Sequence, residues 1–124
     1  MTRVPPPPDS LALYIEVLGL DDTLRLVERY GGTKISIPSG LRNSSTRLRE
    51  RLEDEFGKAM TVALIRGFGG DIIKVPMAIE WRVAYYAARG DSAHEIARRV
   101  GRHQETIWRQ LKRRREDRQI DLPF

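Results

Sequence analysis

The residues best suited to chemistry lie close together: Gln104, Glu105, Thr106 and Arg109, with Arg102 and His103 before them and Lys112 and Arg113 after. On a helix of about 100° per residue, burying Ile107 and Leu111 turns Glu105, Arg109, Lys112 and Arg113 outward, with Thr106 and Trp108 on the two edges. These side chains match the hydrogen-bonding edges of DNA bases. An arginine fork such as Arg109 pairs with guanine O6 and N7, a glutamine such as Gln104 with adenine, and a glutamate such as Glu105 with the cytosine amino group. Arg102, His103, Lys112 and Arg113, together with Arg114 and Arg115, suit phosphate oxygens, which position a protein without specifying sequence. Trp108 is open to two readings, a contact to the DNA backbone or half-buried packing.

Charge supports the same chemistry. The 124 residues carry a formal net charge of +5. Residues 89–118 hold ten of the 22 basic residues and five of the 17 acidic ones, leaving twelve of each elsewhere. An excess gathered in one segment calls for a polyanionic partner, nucleic acid or an anionic membrane surface. The outward face includes Glu105 and no apolar stripe, which argues against lipid. With no Cys and two His, disulfides, thiolate metal sites, cysteine nucleophiles and a histidine-rich metal centre are excluded or disfavoured. No cofactor is expected, and neither a membrane nor a small-molecule substrate is expected as a partner. A hydrophobic content of 40% and a mean hydropathy of −0.46 fit a globular protein. The first twenty residues lack the pattern of a secretory signal, so a cytoplasmic location is expected.

The elements that must position these side chains can be read from spacing. Ala78 to Arg89 has a helical pattern with Ile79, Val83 and Tyr86 on one side, and Gly90 ends it. Asp91 or Ser92 caps a helix from Ala93 to Val100 that turns Ile96, Ala97 and Val100 inward. Ala97 is small enough for a close helix crossing. Gly101 supplies the positive φ of a tight turn, and Ile107 and Leu111 face back from a helix that begins near Gln104. That is the spacing of a helix-turn-helix, in a homeodomain-like three-helix module. An ordinary helical hairpin is the alternative, and it leaves the local charge unexplained.

Upstream, Pro5–Pro8 belongs to an expected disordered tail, residues 1–9. Asp9 or Ser10 starts a helix through Leu11, Tyr14, Ile15 and Leu18, which Gly19 ends. Asp21 or Asp22 caps a second helix. Ser44 or Ser45 starts a longer helix carrying Leu48, Leu52, Phe56, Met60, Ala63 and Leu64, kinked at Gly57. Between these helices a pattern recurs at an offset of 38 residues: Leu26 to Pro38 aligns without gaps on Leu64 to Pro76. Each copy reads as a helix end, an aromatic, a Gly-Gly break, an alternating strand and a Pro stop, giving two short strands able to pair with each other or with a partner chain. Gly31-Gly32 and Gly69-Gly70 follow a helix and precede a strand, the reverse of a dinucleotide-binding loop.

Taken together, Phe68-Gly69-Gly70-Asp71-Ile72-Ile73-Lys74-Val75-Pro76 followed by the helix-turn-helix at 92–114 resembles the Mor transcription activator family, the Mu-phage middle-operon regulator and its relatives. The resemblance covers roughly residues 48–118. It implies a homodimer whose N-terminal helices form the core, with a Gly-Gly strand from each chain paired across the twofold over the DNA minor groove. Two helix-turn-helix units then enter flanking major grooves. It further implies Gly69 and Gly70 (and in the extra copy Gly31 and Gly32) as strand hinges, Ile72 and Lys74 as the outward strand face, and RNA polymerase as a possible further partner. Ile72 stands where the family often has a polar residue, and the second Gly-Gly copy is a departure.

The expected fold class is therefore mainly α with short β-strands. A dimerisation region spans 10–76, a helix-turn-helix domain 77–118 and a tail 119–124. The expected function is a sequence-specific double-stranded DNA-binding transcription regulator, a phage or prophage activator acting as a homodimer and not an enzyme. The alternatives are an accessory or repressor protein of a mobile element, or a recombinase-related protein, for whose catalytic domain the remaining length is short.

Overall fold

Gly19 and Gly57, 38 residues apart in the sequence, have nearly the same backbone, φ 84 and ψ 168 against φ 88 and ψ 164. Only glycine holds such angles without strain. Around them the computed structural model, which describes residues 5–40 and 46–120, builds the same unit twice. In the first copy α1 (Ala12–Leu18) follows a 3-10 turn at Asp9–Leu11, breaks at Gly19 and resumes as α2 (Leu20–Tyr30), which leads into β1 (Lys34–Ser36). In the second, α3 (Thr46–Phe56) breaks at Gly57 and resumes as α4 (Lys58–Phe68), which leads into β2 (Ile72–Lys74).

The expected long helix through Gly57 is thus two helices. The positive φ there turns the chain, and the carbonyl of Gly57 accepts the first bond of α4 from the Thr61 amide at 3.1 Å. The carbonyl of Gly19 does the same for Thr23, also at 3.1 Å. Gly19 is therefore the N-cap of α2 and neither Asp21 nor Asp22 caps it, although both lie in its first turn, where their charge complements the helix dipole.

β1 and β2 pair antiparallel with each other, Lys34 opposite Lys74, Ile35 opposite Ile73 and Ser36 opposite Ile72. A 38-residue shift carries Ile35 onto Ile73, so a local pseudo-twofold axis passes through the central pair of the sheet. The flanking bonds obey it: the Val75 amide donates to Thr33 O and the Ile37 amide to Asp71 O, both at 2.9 Å. The strand pairing that the resemblance assigns to two chains occurs here within one.

The glycine pairs are corners of this arrangement. A Cβ on Gly31 would lie 2.6 Å from Val27 O and 3.2 Å from Pro76 O, and one on Gly69 would lie 2.5 Å from Ile65 O and 3.1 Å from Pro38 O. The second glycine of each pair, Gly32 or Gly70, has φ 84. One position thus has no room for a side chain and the other needs the left-handed region, which is why the pair recurs. Leu26, Val27, Leu64, Ile65, Phe68, Ile73 and Val75 are among the buried side chains of the unit Pro8–Met77.

Among the described residues, 78–120 form a second compact unit with 5–7. It holds α5 (Ile79–Ala88), α6 (Ala93–Val100) and α7 (Gln104–Ile120). Ser92 caps α6, its hydroxyl accepting from the Glu95 amide at 3.2 Å, and Gly101 ends it in the left-handed region at φ 68. Val83, Tyr86, Ile96 and Ile107 are wholly buried, and Leu111 is only half-buried. Pro5, within the stretch expected as a tail, is buried, and its carbonyl accepts from the Trp81 indole N–H at 3.2 Å. The molecule is mainly helical, with one small antiparallel sheet.

Candidate nucleic-acid interface

The geometry of α6, the turn and α7 follows from a few contacts. Ala97 is buried, and its carbonyl accepts from the Gly101 amide and, at 3.1 Å, from the Arg102 amide, so the chain reverses within one turn. The His103 carbonyl then accepts from the Ile107 amide at 3.2 Å, which starts α7. With Ile107 fixed inward, the outward positions are determined.

Glu105, Trp108, Arg109, Lys112 and Arg113 are exposed, as are Arg102 and His103 in the turn. Gln104 and Thr106 are half-buried at the edges of this face. Trp108 is 57% exposed, one of the large apolar side chains left facing solvent, and this exposure is compatible with either of its two readings. Arg102, Arg109, Lys112 and Arg113 have no carboxylate partner among the described residues. These cations are available to an external anion, unlike Arg25, Arg29, Arg49, Arg51, Arg89 and Arg99, which are paired within the protein.

Lys74, singled out with this set, lies in the other compact unit, on the exposed face of β2 beside the equally exposed Ile72, with Ile73 buried between them. Its cross-strand neighbour is Lys34. Two lysines directly opposite repel one another, a cost that an external anion would relieve.

Spacing gave no hint of the residues that brace the turn. Arg82 is 6% exposed, stacks on the Tyr86 ring with its guanidinium carbon 5.8 Å from the centroid, and donates to the Tyr86 hydroxyl at 3.3 Å and to Arg99 O at 3.0 Å. It places a positive charge against the C-terminal carbonyls of α6, where the helix dipole is negative. Asp91 accepts from Arg89 at 3.0 Å and pairs with Arg99 at 3.2 Å. The hydrogen bond from Arg89 holds the Asp91 carboxyl below the ordinary carboxylate range, with the charges of Arg89 and Arg99 adding and burial opposing. The only readable signal was three arginines and an aspartate flanking Tyr86, a composition equally typical of a solvated surface.

Among the described residues no helix is long and apolar enough to cross a membrane. Compared with protein families, curated proteins and solved structures, the chain finds no match in any of the three.

Proposed function

We propose that this protein binds double-stranded DNA with sequence preference, α6 and α7 acting as a helix-turn-helix and α7 entering the major groove by its N-terminal half. One observation carries the reading: Arg102, Arg109, Lys112 and Arg113 are exposed, with no carboxylate partner among the described residues, around a helix whose opposite side is anchored by the buried Ile107. In that pose Gln104, Glu105 and Arg109 read base edges, while Arg102, His103 and Lys112 meet phosphates. Regulation of transcription, the activator role and RNA polymerase as a partner rest on the Mor-family resemblance alone, carried by Phe68–Pro76 and the helix-turn-helix at 92–114.

The homodimer implied by that resemblance joins N-terminal helices in its core and pairs a strand from each chain. Here one chain supplies both strands, so we propose that one chain occupies one half-site. The test is fluorescence anisotropy with a labelled random duplex between 50 and 200 mM salt. The logarithm of affinity should fall with that of salt with a slope of about −0.9 per phosphate contact, and a flat response contradicts the reading.

A further inference from the structure

The pseudo-twofold of the N-terminal unit is imperfect, and one of its departures leaves a groove. In the second half of the sheet, Lys74 belongs to a pair whose backbone groups face away from the partner strand, and the Tyr14 hydroxyl donates to its outward carbonyl at 2.6 Å. The Tyr14 ring also packs against Phe68 at a centroid distance of 5.3 Å. In the first half a 38-residue shift places Leu52 at the Tyr14 position, Tyr30 at the Phe68 position and Ser36 at the Lys74 position. Leucine is shorter than tyrosine and carries no hydroxyl. No side chain among the described residues donates to the Ser36 carbonyl, and a groove of about 440 Å³ runs along the free edge of β1. That volume is within the usual range for small-molecule sites.

The fold itself supplies the template for what fits. A guest filling this space as Tyr14 fills its counterpart is a single aromatic ring, packed against Tyr30 over Leu52 and Ile35, with a hydroxyl donating to Ser36 O. The groove departs from its counterpart in charge as well: Arg51 and Lys34 line it, where the matching residues are Leu13 and Ile72. Arg51 lies 3.7 Å from Glu55, but its side chain is 66% exposed and can turn toward a second anion. Glu55 is itself satisfied by the Tyr30 hydroxyl and Arg29.

We propose that the β1-edge groove binds a small phenolic acid, its ring in the place of the missing tyrosine, its hydroxyl on the Ser36 carbonyl and its carboxylate beside Arg51 and Lys34. The site is separate from the reading helix of the proposed nucleic-acid interface, because no described residue of α7 lines it. The probe is 4-hydroxybenzoate, titrated into the isotopically labelled full chain and followed through backbone amide shifts, with phenol and benzoate as comparisons.

Saturable shifts centred on Ile35, Ser36 and Leu52 are expected below about 10 mM, in keeping with the weak binding of so small a ligand. Benzoate, lacking the hydroxyl, should bind about tenfold more weakly. Arg51→Gln should weaken 4-hydroxybenzoate several-fold and leave phenol unchanged. Leu52→Tyr should abolish binding by rebuilding the Tyr14 arrangement. Absence of saturable shifts, shifts centred elsewhere, or equal loss of phenol and 4-hydroxybenzoate in Arg51→Gln would overturn the proposal. Arg51 is exposed and its replacement leaves the core intact, so that arm decides even if Leu52→Tyr fails to fold.

Discussion

Arg109 and Lys112 are both exposed on α7 and separated by three positions, yet the account gives them different work. Arg109 lies near the helix start, where on the proposed reading its guanidinium reaches a base edge. Arg109→Ala should therefore cost about 1–3 kcal/mol on a preferred duplex and little on random DNA. Lys112→Ala should weaken both alike and reduce the salt slope by about one. Anisotropy on the two duplexes separates these outcomes, and identical behaviour of the variants removes Arg109 from base reading. Asp91 carries a pH signature instead. Its folded pKa is depressed, so its contribution to stability is present above the unfolded value of about 3.9 and is lost as pH falls through the lower folded value. Asp91→Asn should lower the melting temperature at neutral pH, and the gap to the parent protein should close in strong acid. A gap that persists at low pH assigns the effect to packing. Neither Asp91 nor Arg82 was recognisable from spacing, because burial of Arg82 depends on Tyr86 and on the end of α6, which only the folded chain brings together.

At the scale of elements, the spacing around Ala97, Gly101, Ile107 and Gln104 translated directly into α6, the turn and α7, because a small residue, a positive φ and an inward aliphatic are separate local demands that each leave a mark. The Gly-Gly-strand-Pro repeat was equally readable. Its extension to Gly19 and Gly57 was not, since the intervening polar residues differ and Asp21 and Asp22 mimic a cap. Surroundings distinguish what each glycine does. Nothing lies within 4 Å of a Cβ built on Gly57, so Gly57→Ala isolates the backbone cost of its φ of 88. Urea unfolding should show a loss of about 1–3 kcal/mol. Gly67 is helical and poses the opposite case: a Cβ there would lie 2.5 Å from Val17 Cγ1. Gly67→Ala should destabilise despite the better helix propensity of alanine, and adding Val17→Ala should recover much of the loss. If Gly67→Ala alone is neutral, the close crossing of α1 and α4 is not as described.

For the whole molecule, the decisive feature is that one chain closes its own pseudo-symmetric sheet. The sequence left open whether the two strands meet each other or a partner, and register decides it: Ile35 faces Ile73 within the chain. Pairing across a twofold between chains is thus not needed to form this sheet, and on that ground we propose that the chain acts as a monomer. Sedimentation at micromolar concentration should therefore return a species near 14.3 kDa, the mass of one chain. A dimer would restore the two-chain geometry of the Mor-like regulators. The net charge of +5 also acquires a location at this scale, since residues 89–118 hold ten basic and five acidic residues while the remainder is balanced.

Selection from a pool of random duplexes, run in parallel with the parent protein and Arg109→Ala, tests the central claim most directly. The account predicts that the parent enriches one short, asymmetric sequence as long as a single half-site, and that Arg109→Ala relaxes one position within it. No enrichment over the starting pool, or the same enriched sequence from both proteins, would contradict a reading helix in α7.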